Sequence, residues 1–357
     1  MSATPEKIIM LVDYRGHFWS SVRKKDIGMD LEALEAAFVE LGVTVEFLCF
    51  PEVDLRRRSF VGLPVLYQSS EDRGSLYKGY IEDIVLGLTL QGAVPVPRFE
   101  CLRAHHNKVF MEILRDVSGE PRLQGVRSRT FGTLEDYERY HDKTDATQVI
   151  KSAEGSTSTG VALLDGVGAR RRLPRKLSRS YHLIHAAKNR AKLHLRPWYA
   201  AKSNHRRKFI VQDFVPGLSG DFKVLVYWDR TYVLQRSNRK NDFRASGSGL
   251  FEYRRDLPDG LLDFVRAVFR GFEVPCISID LAWTGSEFIP LEFQFVLFGS
   301  YTLERSPFYF VEAESGDGWT VVEEPSQLEE VFARSVVEFL QRGERTVPEA
   351  HYTDGDR

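Results

Sequence analysis

Apolar runs and helical spacings alternate along the first hundred residues. KIIMLVDY (7–14) is a continuous apolar run, the pattern of a strand buried on both faces. Leu31, Leu34, Ala37, Phe38 and Leu41 then recur at three- and four-residue spacing, and Gly42 ends that helix. VTVEFLCF (43–50) and LPVLYQSS (63–70) are further strands; residues 77–88 form a helix, and AVPVPR (93–98) is a fourth strand. Strands separated by helices imply a parallel, Rossmann-like sheet. No GxGxxG turn follows the first strand, which argues against a dinucleotide site there.

The pattern changes after residue 104. Residues 105–116 read as a connecting helix and GVRSRTFG (125–132) as a strand, with Thr133 and Asp136 opening the helix LEDYERYHD in the manner of a capping box. TQVIKSAEGSTSTGVALL (147–164) is two strands around a loop of small residues. KFIVQDFV (208–215), FKVLVYW (222–228) and TYVLQRS (231–237) are strands, the last two joined by an Asp-Arg turn. Asp259 caps a helix reaching Arg270; CISIDLAWT and SEFIPLEFQFV form a hairpin; Ser326 and Glu329 make a second capping box before a helix to Arg342. The predicted class is α/β followed by α+β rich in antiparallel strands.

Composition narrows the function classes. The chain has 357 residues, enough for two or three subdomains. Its 49 basic residues nearly cancel its 50 acidic ones, so global charge favours neither a nucleic-acid binder nor an acidic-tail protein. Cys49, Cys101 and Cys276 are widely separated and make no CxxC pair, a usage that fits a reducing compartment. No run approaches the roughly 18 apolar residues of a membrane span, and no signal peptide opens the chain. These features predict a cytoplasmic protein without a membrane partner.

Four segments carry candidate chemistry. Glu292 and Gln294 are two positions apart on one strand and share a face, and Asp280 can meet them across the hairpin. Three oxygen donors on one patch suit Mg²⁺, with Mn²⁺ as an alternative, better than zinc. An isolated ExQ also fits a solvated sheet face, but the flanking Phe288, Ile289, Leu291, Phe293 and Phe295 argue for acids that need a partner. Lys151 at a strand end, followed by Gly155 and Ser156, can set a point charge and backbone amides around phosphate oxygens. It is not a Walker A loop, and a plain hairpin tip explains the composition equally well. Gln212, Asp213, Phe214 and Val215 can offer main-chain groups to an adenine edge, with Asp221 for ribose hydroxyls; a surface turn is the other reading. Arg236 and Arg244, in QRSNRKNDFRASGSG, have the fork geometry that clamps phosphoryl and carboxylate oxygens, or they are loop arginines in solvent.

Taken in order, these segments resemble the ATP-grasp family over residues 5–340. The resemblance implies an N-terminal Rossmann-like domain (1–104), a small ATP-binding subdomain (105–208) with a lid (166–207), a metal-bearing subdomain (209–345) and a polar, disordered tail (346–357). It assigns Lys108 and Lys151 with Gly155 and Ser156 to the phosphates, Gln212–Asp213–Phe214–Val215 to adenine, and Asp221 to ribose. Arg236 and Arg244 become phosphate-side catalytic residues together with Lys151, and Asp280, Glu292 and Gln294 the Mg²⁺ ligands. Gln294 stands where the family has asparagine, and Ser246 where an asparagine follows DFR; both are departures. The reaction implied is ATP-dependent amide formation through an acylphosphate, from a small-molecule carboxylate and an amine. Peptide, amino-acid and acidic-sugar substrates all remain open, as does a homodimer. A kinase acting on a hydroxyl and a non-catalytic ATP-binding protein are the competing readings.

The segment 166–207 stands apart. It holds thirteen lysines and arginines, four histidines and no acid. The expectation is a lid that also recruits an anionic substrate; the bland reading is a basic surface offsetting acids elsewhere. Aromatic residues interleave with these charges too sparsely to suggest nucleic acid.

Overall fold

The computed structural model describes residues 5–19, 28–141, 144–155, 160–180, 183–200, 202–239, 248–316 and 318–343. In chain order the elements are β1 (Lys7–Val12), α1 (Leu31–Glu40), β2 (Thr44–Cys49), β3 (Pro64–Tyr67), α2 (Leu76–Gln91), β4 (Val94–Val96), α3 (Phe99–Ala104), α4 (Lys108–Val117), β5 (Ser128–Phe131) and α5 (Leu134–Tyr140). There follow β6 (Gln148–Ser152), β7 (Val161–Leu164), α6 (Gly166–Leu177), α7 (Leu183–Leu195), β8 (Phe209–Asp213), β9 (Gly220–Tyr227), β10 (Arg230–Ser237) and β11 (Phe251–Glu252). The chain continues through α8 (Leu261–Phe272), β12 (Cys276–Trp283), β13 (Phe288–Gln294), α9 (Tyr301–Glu304), β14 (Tyr309–Glu312), β15 (Trp319–Val322) and α10 (Leu328–Gly343).

Three sheets result. The N-terminal sheet is parallel, in the order β2-β1-β3-β4, and five of the six β1 side chains are buried, as the unbroken apolar run requires. The middle sheet is antiparallel, β5-β8-β6-β7. The third runs β13-β12-β9-β10-β14-β15, with β11 beside β10. On β9 and β12 the face carrying Phe222, Val224, Val226, Ile277, Ile279 and Leu281 is buried in the core, where the apolar stripe of α8 (Leu261, Val265, Val268, Phe272) joins it. The other face carries Asp221, Lys223, Ser278 and Asp280.

The cores explain how a cleft arises. One continuous apolar cluster joins the N-terminal sheet to the third sheet, so these two act as a single block. The middle sheet has a separate core of Phe131, Leu134, Tyr137, Ile150, Leu164, Phe209 and Val211. A small cluster, Val126, Ala282 and Ile289, packed by Val215, Leu218 and Leu291, joins the middle sheet to the third, and α4 also packs on β5 and β8. Sheets with separate cores leave a groove between their facing surfaces.

Several sequence expectations shift. Strand β8, read as the head of the third module, bonds to both β5 and β6 and so belongs to the middle sheet. The connecting helix starts at Lys108, after a separate α3; His106 between them has φ 50°, which breaks the helix. The β9–β10 turn is Trp228-Asp229, because Arg230 already pairs with Tyr227. Gly260, at φ 79°, rather than Asp259 precedes α8. Glu329 accepts from the Asp30 amide at 2.9 Å, and Ser326 Oγ accepts from Tyr232, so the second capping box is replaced by two long-range contacts. Thr133 does cap α5, accepting from the Asp136 amide. Among the described residues no helix is long and apolar enough to cross a membrane, and the three cysteines are free thiols. The tail after 343 lies outside the described residues.

Candidate active site

Between the middle and third sheets lies a cavity of about 310 Å³. Lys108, Lys151, Gly155, Gln212, Asp213, Phe214, Val215, Asp221, Arg236, Asp280, Glu292 and Gln294 all line it. Residues 108 and 294 are nearly two hundred positions apart along the chain, and the packing of α4 into the same core as β13 brings them together. Ser156 and Arg244, with Asp242, Phe243 and Ser246, lie outside the described residues.

Each side chain is placed by local structure. Lys108 opens α4, whose Asn107 cap accepts from the Phe110 amide at 3.4 Å. Its own amide bonds Ala153 O at 2.9 Å and its Nζ bonds Gly155 O at 2.9 Å, so the helix start and the loop after β6 are tied together. That Nζ also stands 3.5 Å from Glu292 Oε1 on β13. Lys151 projects from β6; burial drives its ammonium below the ordinary lysine range, and the Glu292 charge partly offsets this. The loop closes on Gly160, where an added Cβ would stand 2.9 Å from Ser152 Cβ, so only glycine permits the return into β7.

On β8, Gln212 Nε2 donates to Ser128 Oγ at 3.0 Å and Asp213 Oδ1 accepts from Gln148 at 3.4 Å. Both side chains are thus committed to the middle sheet. β8 lies between β5 and β6, so the backbone at Gln212 and Asp213 is paired within the sheet, and Phe214 and Val215 follow the strand's end at the cavity wall.

The third sheet supplies the opposite wall. In the β12–β13 ladder Asp280 pairs with Glu292 and Ser278 with Gln294, with an irregularity between Asp280 and Leu281. Gln294 Nε2 donates to Glu292 Oε1 at 3.0 Å, which leaves the amide oxygen as the atom with which Gln294 would meet an ion. Arg236 on β10 is a centre of charge: Nε and Nη2 meet Asp221 at 2.6 and 2.7 Å, and Nη2 meets Asp280 Oδ2 at 2.8 Å. Burial would raise the Asp280 carboxyl, but Arg236 and Lys223 beside it hold it below the usual carboxylate range. Gly220 allows this approach, since a Cβ there would fall 2.1 Å from Arg236 O. Asp221, expected to hold ribose, is engaged by Arg236 through both oxygens. The cavity wall also includes Lys223, Glu71, Asn238 and Tyr301, none of which the sequence singled out. Only for Lys223 was a signal present: a charge two residues after Asp221 in the run FKVLVYW, whose neighbours Val224 to Tyr227 are all buried.

No protein-family model and no curated protein sequence matches the chain. Solved structures do. D-cycloserine synthetase DcsG is similar at 12% identity and TM-score 0.53, the match covering 94% of this chain and 99% of that one. The macrocyclase MdnC of Microcystis aeruginosa, bound with its precursor peptide MdnA, is similar at 12% identity and TM-score 0.51 over 93% and 99%. A RimK-domain ATP-grasp protein of Sphaerobacter thermophilus matches at 13% identity and TM-score 0.50 over 93% and 98%. This is the ATP-grasp fold. Within that fold, the cavity lies where the middle and third sheets of this chain face each other, and the charged row on the third sheet forms its floor.

Proposed function

We propose that this chain is an ATP- and magnesium-dependent ligase that joins a carboxylate to an amine, with ADP and phosphate as coproducts. One observation carries the reading: a single cavity gathers Lys151 from the middle sheet, Lys108 from the start of α4, the end of β8 with the residues after it (Gln212 to Val215), and the Asp280–Glu292–Gln294 patch of the third sheet. The patch fits a hard divalent ion, because its donors are two carboxylates and an amide oxygen and magnesium is commonly held by one or two carboxylates plus phosphate oxygens and water. When bound, magnesium supplies charge that screens the phosphates and favours an in-line displacement.

The chain's residues account for the rest. The adenine lies against the end of β8 and the residues after it, Gln212 to Val215, Lys151 and Lys108 meet phosphate oxygens, and Arg236 lies toward the transferring phosphoryl group. The substrate carboxylate attacks the γ-phosphorus as the bond to the ADP oxygen breaks, giving an acylphosphate. The amine then attacks the acyl carbon and phosphate leaves. Closure of the middle and third sheets on each other excludes water, which would otherwise hydrolyse the intermediate. The similar proteins, a synthetase and a macrocyclase bound with its precursor peptide, support the ligase class, and that precursor supports a peptide as one acceptor to try. The basic helices α6 and α7 favour an anionic substrate, drawn in by long-range attraction.

A phosphate-release screen crossing carboxylic acids, including acidic peptides and sugar acids, with amines tests this. The ligase reading expects phosphate and ADP only when both partners are present. ADP with the phosphate retained on a hydroxyl acceptor would make the protein a kinase; nucleotide binding without turnover across the panel would make it a non-catalytic binder.

A further inference from the structure

On the cavity face of the third sheet the strand registers set charges side by side. Asp221 and Lys223 are two residues apart on β9 and share a face. Arg236 is the cross-strand partner of Asp221, Asp280 that of Lys223, and Glu292 that of Asp280. The Arg236 guanidinium, its side chain 3% exposed, therefore reaches from β10 over β9 and bonds one carboxylate on β9 and one on β12. Lys223 Nζ donates to Ser278 Oγ at 3.0 Å and stands 3.7 Å from Asp280 Oδ1. Asp280 thus has a protein cation at each oxygen. Beside Asp221 and Asp280 the row holds Arg236 and Lys223, while Lys108 stands near Glu292; Glu71, Asp213 and Lys151 are the other charged groups of the cavity wall.

A divalent ion needs carboxylates whose charge is not already matched, since a fixed cation within 4 Å repels it strongly inside a partly buried site. Glu292 meets this condition better than Asp280: among the described residues one cation stands within 4 Å of it, Lys108 at 3.5 Å, which also bonds Gly155 O, where Asp280 has two, and Gln294 lies beside it. We infer that the site holds one divalent ion, centred on Glu292 and Gln294, and that Arg236 and Lys223 supply at Asp280 the positive charge a second ion would bring. This rests on the nucleotide reading above. It adds Lys223 to the groups that meet the phosphates, and it gives the long amide of Gln294 a place in a one-ion site. Arginine suits the role, being permanently charged and able to bridge two carboxylates with its planar fork.

The test counts ions. The protein is saturated with a non-hydrolysable ATP analogue and titrated with Mn²⁺, free Mn²⁺ being read by electron paramagnetic resonance. One ion per nucleotide complex is expected for the wild type, and two for Arg236→Gln and Lys223→Met. Lys223→Met keeps the aliphatic stem packed and serves if Arg236→Gln does not fold, as judged by circular dichroism. Two ions in the wild type overturn the inference, as does a count that stays at one in a folded variant. Failure of the analogue to bind at all overturns the nucleotide reading, and is distinguished because it is seen before any ion is counted.

Discussion

The charged row of the third sheet and the basic helices α6 and α7 both concentrate cations, under opposite physical conditions. Arg236 and Lys223 are buried and stand 2.6 to 3.7 Å from carboxylates fixed by strand register. Arg171, Arg172, Arg175, Lys176, Lys188, Arg190 and Lys192 are exposed, in a stretch without a single acid. A buried paired charge is held in one geometry and acts over a few ångströms, where the effective dielectric is low. A solvated cluster acts over roughly a Debye length, about 8 Å at physiological salt, and does not depend on exact placement. The proposed function assigns chemistry to the first and recruitment to the second, and substitutions should divide accordingly.

The largest effect expected is on stability, at Arg236. Arg236→Ala leaves Asp221 and Asp280 without their shared partner and should cost about 3–5 kcal/mol, measured by urea denaturation. A loss under about 1 kcal/mol would mean that the row is solvated and that the comparison fails. Next comes Glu292→Gln, which removes a preorganised charge and should lower kcat by about 10²–10³-fold while leaving the melting temperature nearly unchanged. Full turnover at limiting Mg²⁺ would remove Glu292 from the ion site. Lys151→Ala should raise the KM for ATP by about 10- to 100-fold, the value of a hydrogen bond to a charged group, with a smaller change in acceptor KM. The smallest effect belongs to the exposed cluster. Replacing Arg171, Arg172, Arg175 and Lys176 by glutamine should shift stability by no more than about 0.5 kcal/mol, because exposed pairs such as Arg175–Glu138 contribute little. The same variant should raise acceptor KM several-fold at low salt and leave kcat alone; an unchanged, salt-insensitive KM would end the recruiting role.

Much of the frame was legible because local signals were strong. The run KIIMLVDY, the helical spacing before Gly42 and the Glu292-x-Gln294 alternation each specify an element and a face without reference to distant residues. The hairpin register that sets Asp280 opposite Glu292 also follows from a short turn between two apolar runs. What escaped was non-local. The apolar segment of β8 says that it is a strand but not which sheet it joins, since that depends on partners at Ser128–Phe131 and Gln148–Ser152. Lys223 looked like one charge in an apolar run, because its meaning comes from Asp280 on another strand. The commitment of Asp221 to Arg236 was equally hidden, although the two are cross-strand neighbours once the β9–β10 turn is placed at Trp228-Asp229.

A crystal structure with a non-hydrolysable ATP analogue and Mn²⁺, located by its anomalous signal, tests the account at its centre. The account predicts adenine against Gln212 to Val215, phosphates between Lys108 and Lys151, and manganese beside Glu292. Nucleotide bound outside this cleft, or manganese remote from Glu292 and Gln294, would contradict it.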